Sequence, residues 1–224
     1  FNQAFYQNID WTKGPSSYDS RNVFTLSSSY DLPIGPGKMY LNGGSGIAQK
    51  VLGGWQMNGI LTLRDGFPAQ ITRGNRYTAL GIAAEVPDLA PGFSTNPITG
   101  TSAGCTLFPG IAGQKLGTPD LYYDPCAFIP PPDRILGNVG RNTLIMPGFA
   151  ALDFTLGKNT QLTEAAKLEF RFEAYNLLNR VNFGTPGRNV FTNAVPIAAA
   201  DPLAGLIQSS STARQLQFGL KLVF

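Results

Sequence analysis

The sequence predicts an all-β, antiparallel fold of amphipathic strands joined by connections of very unequal length, and three observations predict it. Apolar and polar residues alternate at period two in five separate runs, Gly and Pro number 26 and 17 in 224 residues, and the links between the runs are alternately short and long. Period two marks a strand because successive side chains leave opposite faces of the pleat.

The first strand is expected over residues 22–32, with Phe24, Leu26, Tyr30 and Leu32 beside Ser28 on one face and Thr25, Ser27, Ser29 and Asp31 on the other. The second is expected over 53–72. There Trp55, Met57, Leu61 and Leu63 oppose Gln56, Asn58, Ile60, Thr62 and Arg64, and the pattern resumes after Gly66 with Phe67, Ala69 and Ile71. The third, 149–157, sets Leu152, Phe154 and Leu156 against Asp153 and Thr155.

The fourth, 166–176, places Leu168, Phe170, Phe172 and Ala174 opposite Glu169, Arg171, Glu173 and Tyr175. Its opening residues, Glu164 to Glu169, have high helix propensity. On a helix, however, Phe170 would lie about 200° from Leu168 and break the stripe, so strand is preferred. The fifth, 214–224, alternates Leu216, Phe218, Leu220, Leu222 and Phe224 with Gln215, Gln217, Gly219, Lys221 and Val223.

Residues 33–50 read as a Gly/Pro-rich link, 73–148 as a long irregular loop, 157–166 as a short turn and 178–213 as a second long loop. Transmembrane barrels have that alternation of short turns and long loops. A soluble sheet with one buried face has the same period, and the alternation alone leaves both open.

Composition narrows the chemistry. There is no histidine, which removes Ser-His-Asp triads, Cys-His pairs and HExxH zinc sites. Glu169 and Glu173 would stand about 13 Å apart on a strand, beyond the roughly 5–9.5 Å that glycosidase carboxylates need. Gly35-Pro36-Gly37-Lys38 and Gly43-Gly44-Ser45-Gly46 match neither a phosphate loop nor a nucleophile elbow, and turn chemistry accounts for both.

The expectation is therefore a protein without catalytic, metal or cofactor site. Charged residues make up 14% of the chain, against roughly 25% in soluble domains. The net charge of +3 is dispersed, which gives nucleic-acid binding no support. No apolar run reaches the roughly 18 residues of a membrane helix, and a chain that opens Phe1-Asn2-Gln3 rather than on Met is expected to be a processed product or part of something longer.

Gln217, Gly219, Leu222 and the final Phe224 resemble the signal that the barrel-assembly machinery reads on the last strand of outer-membrane β-barrel proteins. The likeness widens along the chain. Tyr18-Asp19-Ser20-Arg21-Asn22-Val23-Phe24, Leu32-Pro33-Ile34-Gly35-Pro36-Gly37-Lys38 and Gly53-Gly54-Trp55-Gln56-Met57-Asn58-Gly59-Ile60 resemble the C-terminal part of TonB-dependent outer-membrane receptors, in particular Oar-like ones with a carboxypeptidase-regulatory-like N-terminal domain. Gly137-Asn138-Val139-Gly140-Arg141-Asn142, Pro147-Gly148-Phe149, Phe170 to Asn179 and Asn182-Phe183-Gly184 continue it.

What the resemblance implies is the C-terminal portion of a 22-stranded transporter barrel with long extracellular loops, in the outer membrane of a Gram-negative-type bacterium. Residues 1–224 would then form a single barrel segment, the plug and the rest of the barrel being absent, since five spans cannot close a barrel. The implied function is solute uptake, or export. Its implied partners are outer-membrane lipid, the barrel-assembly machinery and a TonB-type energy-coupling protein acting through the plug. A secreted or surface structural protein assembling through strand edges is the alternative.

In that oxidising compartment Cys105 and Cys126 are expected to form a disulfide, worth about 3 kcal/mol in the chain-entropy account. Free thiols are the alternative; two thiols without His or a CxxC spacing argue against a metal. Arg64, Glu169, Arg171 and Glu173 are the candidate lumen-facing residues. Trp11, Tyr18, Tyr30, Trp55 and Phe224 are candidate membrane-interface aromatics, of which Trp55 and Phe224 fit the strand registers best. The solute is not legible.

Overall fold

Five of the runs that alternate at period two are the five long strands of one antiparallel sheet. A computed structural model describes residues 13–43, 46–74, 86–132, 137–192 and 199–224; Trp11 lies outside them. In chain order the elements are β1 (Val23–Asp31), α1 (Gly46–Leu52), β2 (Trp55–Arg64), β3 (Pro68–Ala69), β4 (Asp88–Leu89), β5 (Phe128–Ile129), β6 (Leu144–Ile145), β7 (Phe149–Gln161), β8 (Lys167–Tyr175) and β9 (Gln215–Val223). No helix among the described residues is long and apolar enough to cross a membrane.

The chain divides into two units. One is the sheet, from Asn22–Arg64, Phe149–Asn182 and Ser211–Phe224. Its strand order is β1-β2-β7-β8-β9, each strand antiparallel to its neighbours, and the sheet is open, not closed into a barrel. Register aligns the apolar positions across strands: Tyr30, Met57, Leu156, Phe172 and Phe218 form one row, and Leu26, Leu61 and Leu152 another. The polar positions line up likewise, with Asn58, Thr155, Glu173 and Gln217 in a row. A slip of one residue would put every Leu and Phe on the polar side.

The second strand ends at Arg64 instead of running to residue 72. Asp65-Gly66 and Pro68 interrupt the ladder, because Pro lacks the N–H that a continuing strand would donate. Pro68–Ala69 pairs instead with Leu144–Ile145. In the other direction, β7 runs on to Gln161 rather than stopping at 157, and Lys158 pairs across both Trp55 and Phe170. Gly54, which precedes β2, has φ +75°, and a Cβ there would meet the Asn159 carbonyl. Only glycine suits that entry.

The other unit takes the residues up to Arg21, Asp65–Gly148 and Phe183–Ser210. Most of the described residues in the two stretches expected to be irregular loops therefore belong to a packed unit. Ile71, Phe108, Tyr122, Tyr123, Phe128, Leu144, Val190 and Phe191 are buried together. The Tyr122 hydroxyl donates to the Ile145 carbonyl at 2.9 Å and that of Tyr123 to the Gly187 carbonyl at 2.8 Å. Cys105 and Cys126 form a disulfide, with Cα atoms 5.8 Å apart. The buried Asp124 side chain accepts from the Cys126 N–H and the Ser102 hydroxyl, both at 3.0 Å.

Candidate functional site

The sheet unit has two unlike faces. On the apolar one Phe24, Leu26, Leu216, Leu222, Phe218 and Leu220 are exposed, the last two 69% and 71%. Water-soluble domains rarely leave this many large apolar side chains in water, because each such side chain buried from water is worth about 1.5–3 kcal/mol. Phe172 and Phe218 stack in tilted geometry 5.0 Å apart, and Trp55 meets Phe170 edge-on at 6.4 Å.

The polar face holds a shallow hollow of about 660 Å³, lined by Gln56, Asn58, Glu169, Arg171, Gln217 and Lys221 among others. Along β8 the charges alternate in sign. Lys167 Nζ lies 2.7 Å from Glu169 Oε1, and an Arg171 guanidinium nitrogen lies 3.6 Å from Glu173 Oε1. The Tyr175 hydroxyl donates to the other Glu173 oxygen at 3.2 Å. Lys221 stands opposite Glu169 on β9.

Arg171 has glycine for its neighbour on both sides, Gly157 on β7 and Gly219 on β9. No side chain crowds it from either position, and its own side chain is 68% exposed. Ion pairs this open contribute at most about 1 kcal/mol. They set alternating donors and acceptors along β8.

Glu169, Arg171 and Glu173 thus share the hollow, whereas Arg64 lies at the far end of β2 with its guanidinium 5.6 Å from the centre of the Phe149 ring. Gln217 and Gly219 occupy polar-face positions of β9, Leu222 an apolar one, and Phe224 at the chain end is 94% exposed. Tyr30 is on the apolar face and Tyr18 is exposed. Gln56, Asn58, Asn159 and Lys221, which the sequence does not mark as site residues, also line the hollow, as does Gln217 of the expected assembly signal. Lys158 was missed because the third strand was expected to end one residue earlier.

The Asn176-to-Asn182 stretch, which the sequence marks only through the family resemblance, has a local job. Asn176 and Asn179 both have φ 51°, a left-handed conformation that asparagine tolerates. The Asn176 amide closes its own turn, donating to the Arg180 carbonyl at 2.9 Å and accepting from the Arg180 N–H at 3.0 Å. Asn179 Oδ1 accepts from the Arg214 N–H at 3.0 Å. Asn182 bonds both backbone groups of Ala150, at 2.8 and 3.0 Å. Three side chains thereby stand in for peptide groups where the ladder between β7, β8 and β9 runs out.

In the other unit, burial pushes the Tyr122 hydroxyl up to about 12 and raises Tyr123 further. Both are neutral donors holding the core. Among the described residues no cluster of three or more His, Cys, Asp or Glu is arranged to hold a metal.

Against known proteins, residues 1–217 match the family model described as an outer membrane beta barrel domain. No curated protein and no solved structure matches the chain.

Proposed function

This chain belongs to the outer membrane beta barrel domain family, and from that premise we propose that it forms part of the wall of a transport barrel in the outer membrane of a Gram-negative-type bacterium. The observation that carries the reading is the segregation of the sheet. One face is a continuous apolar surface suited to lipid, and the other is a hollow of amides and paired charges suited to a hydrated lumen.

In this reading the solute passes along Gln56, Asn58, Glu169, Arg171, Glu173, Gln217 and Lys221, exchanging hydrogen bonds with water at each step. Arg64 marks one end of the same polar wall. Passage is powered by a TonB-type energy-coupling protein acting on a plug, as the resemblance to Oar-like receptors implies, and the barrel-assembly machinery reads Gln217, Gly219, Leu222 and Phe224. Trp55 and Phe224 sit at a membrane interface. No chemical step is assigned, so the protein is proposed as a carrier and not an enzyme.

The test is uptake of labelled iron chelates, oligosaccharides and peptides by cells carrying the protein or Arg171→Glu. We expect uptake of at least one class to fall several-fold in the variant and to stop when the energy-coupling protein is deleted, while the amount in the outer membrane is unchanged. Uptake indifferent to that deletion would exclude TonB-dependent passage.

A second reading draws on the two nine-residue edges, β1 and β9, which pair with no further strand among the described residues. Edges of that length are templates for assembly between copies. Cysteines paired across β1 and β9 distinguish the two: cross-linked ladders of many copies favour the structural protein, and the absence of any β1–β9 cross-link favours the barrel, in whose wall the two strands stand four strand spacings apart.

A further inference from the structure

The connection between β1 and β2 is richer in apolar surface than a turn requires. Met39, Tyr40, Leu41, Ile47 and Val51 are all exposed, Ile47 by 81%. Ile47 and Val51 are four apart on α1 and share a helix face. Between Pro33 and Gly54 the sequence has two lysines, Lys38 and Lys50, and no carboxylate.

The segment is anchored on the apolar side of the sheet. Trp55 and Lys158 are register partners in the apolar set, with the Lys158 ammonium 5.1 Å from the centre of the indole ring. Both reach the end of α1. The indole N–H donates to the Val51 carbonyl at 3.1 Å, and the Lys158 ammonium donates to the Lys50 carbonyl at 2.7 Å and to the Gly53 carbonyl. Carbonyls that a helix end leaves unpaired are thereby satisfied without water.

Beyond α1, Lys50 Nζ donates to the Leu162 carbonyl at 3.1 Å. Gly35, at φ +108°, is packed so closely on Gly53 that a side chain would not fit. These ties hold the helix and the 33–41 loop in place.

A lysine in an apolar row is costly at the centre of a bilayer and nearly free at its boundary. Together Trp55 and Lys158 therefore set the depth of the headgroup region at the short-turn end of the sheet. We propose that the β1–β2 connection is an interfacial foot. In it α1 and the 33–41 loop lie on the membrane beside the strands, Ile47, Val51 and Met39 dip into the acyl boundary, and Lys38, Lys50 and Lys158 take the phosphates of anionic phospholipid.

Two observations commit the face to lipid over a protein partner: it is continuous with the apolar face of the sheet, and its own charge is wholly basic. The carboxylates at this end lie elsewhere, Asp31 and Glu169 on the polar face and Glu164 in the turn before β8. The proposal rests on the reading that the apolar face meets the bilayer.

Because both native cysteines are in the disulfide, a single introduced cysteine can be labelled selectively. A fluorophore is placed at Ile47→Cys, and at Leu220→Cys and Gln217→Cys as apolar-face and polar-face controls. The protein is inserted in vesicles doped with lipid brominated in the upper acyl chain, carried on either phosphatidylglycerol or phosphatidylcholine.

The expected result is quenching at Ile47→Cys comparable to Leu220→Cys and at least twofold above Gln217→Cys. Brominated phosphatidylglycerol should be the stronger quencher, and Lys38→Gln and Lys50→Gln should each reduce that preference by up to about fivefold. Quenching at Leu220→Cys but not at Ile47→Cys overturns the foot and leaves the membrane reading intact. Quenching at neither overturns both. Equal quenching by the two headgroups overturns the anionic-lipid assignment.

Discussion

Asn182 is buried, and its amide bonds both backbone groups of Ala150, the second residue of β7. Removing that amide leaves a partly buried N–H and carbonyl without partners, which costs about 1 kcal/mol or more. We therefore expect Asn182→Ala to speed amide hydrogen exchange at the start of β7 by at least tenfold while β1 and its pairing with β2 are unaffected. Exchange unchanged at Ala150 would show that the amide is replaceable by water. Neither this residue nor Lys158 was legible as anything structural. An asparagine that imitates a peptide group leaves no periodic trace in the sequence, and a lysine at the end of an apolar stripe reads as the place where the strand stops. By contrast the charged ladder of Glu169, Arg171 and Glu173 was legible, since period two alone puts those three side chains on one face.

At the level of elements, the stretch from residue 73 to 148 shows where reading by periodicity runs out. Its order comes from two-residue strand pairs, 3-10 turns at Pro109–Ile111 and Pro125–Ala127, and buried side chains far apart in sequence, such as Ile71, Phe128 and Val190. None of these repeats, so hydrophobic patterning has nothing to detect. The cysteines were legible because their chemistry depends on compartment and not on pattern. The bridge closes 21 positions of chain, worth about 3 kcal/mol in the entropic account. Replacing both cysteines with serine should make residues 86–132 several-fold more sensitive to limited proteolysis and leave β8 and β9 as resistant as before. Equal sensitivity in both proteins would mean that the packing of Tyr123 and Phe128 suffices without the bridge.

For the whole molecule, a sheet with an exposed apolar face and a polar face lined by amides and charges calls for two different surroundings at once. Extracted protein is expected to stay monodisperse in detergent and to aggregate when the detergent is removed, and Phe218→Lys with Leu220→Lys should shift that balance toward solubility. Light scattering reads the difference. Solubility of the unaltered protein without detergent would contradict the lipid-facing assignment. The five long strands and their antiparallel character were legible from alternation and link lengths, whereas which residue stands opposite which was not, because period two fixes a face and not a register. That the connections have a core of their own was not legible either, because the buried residues come from two separated segments, Ile71 to Leu144 and Val190 to Ala204. The three stretches of that unit, the residues up to Arg21, 65–148 and 183–210, alternate along the gene with the ones that build the sheet. No single truncation can then excise either unit intact, and a ribosome must pass Ser211 before the last strand of the sheet can join the others. Anyone wishing to study one without the other would have to rewire the chain with new linkers, not shorten it.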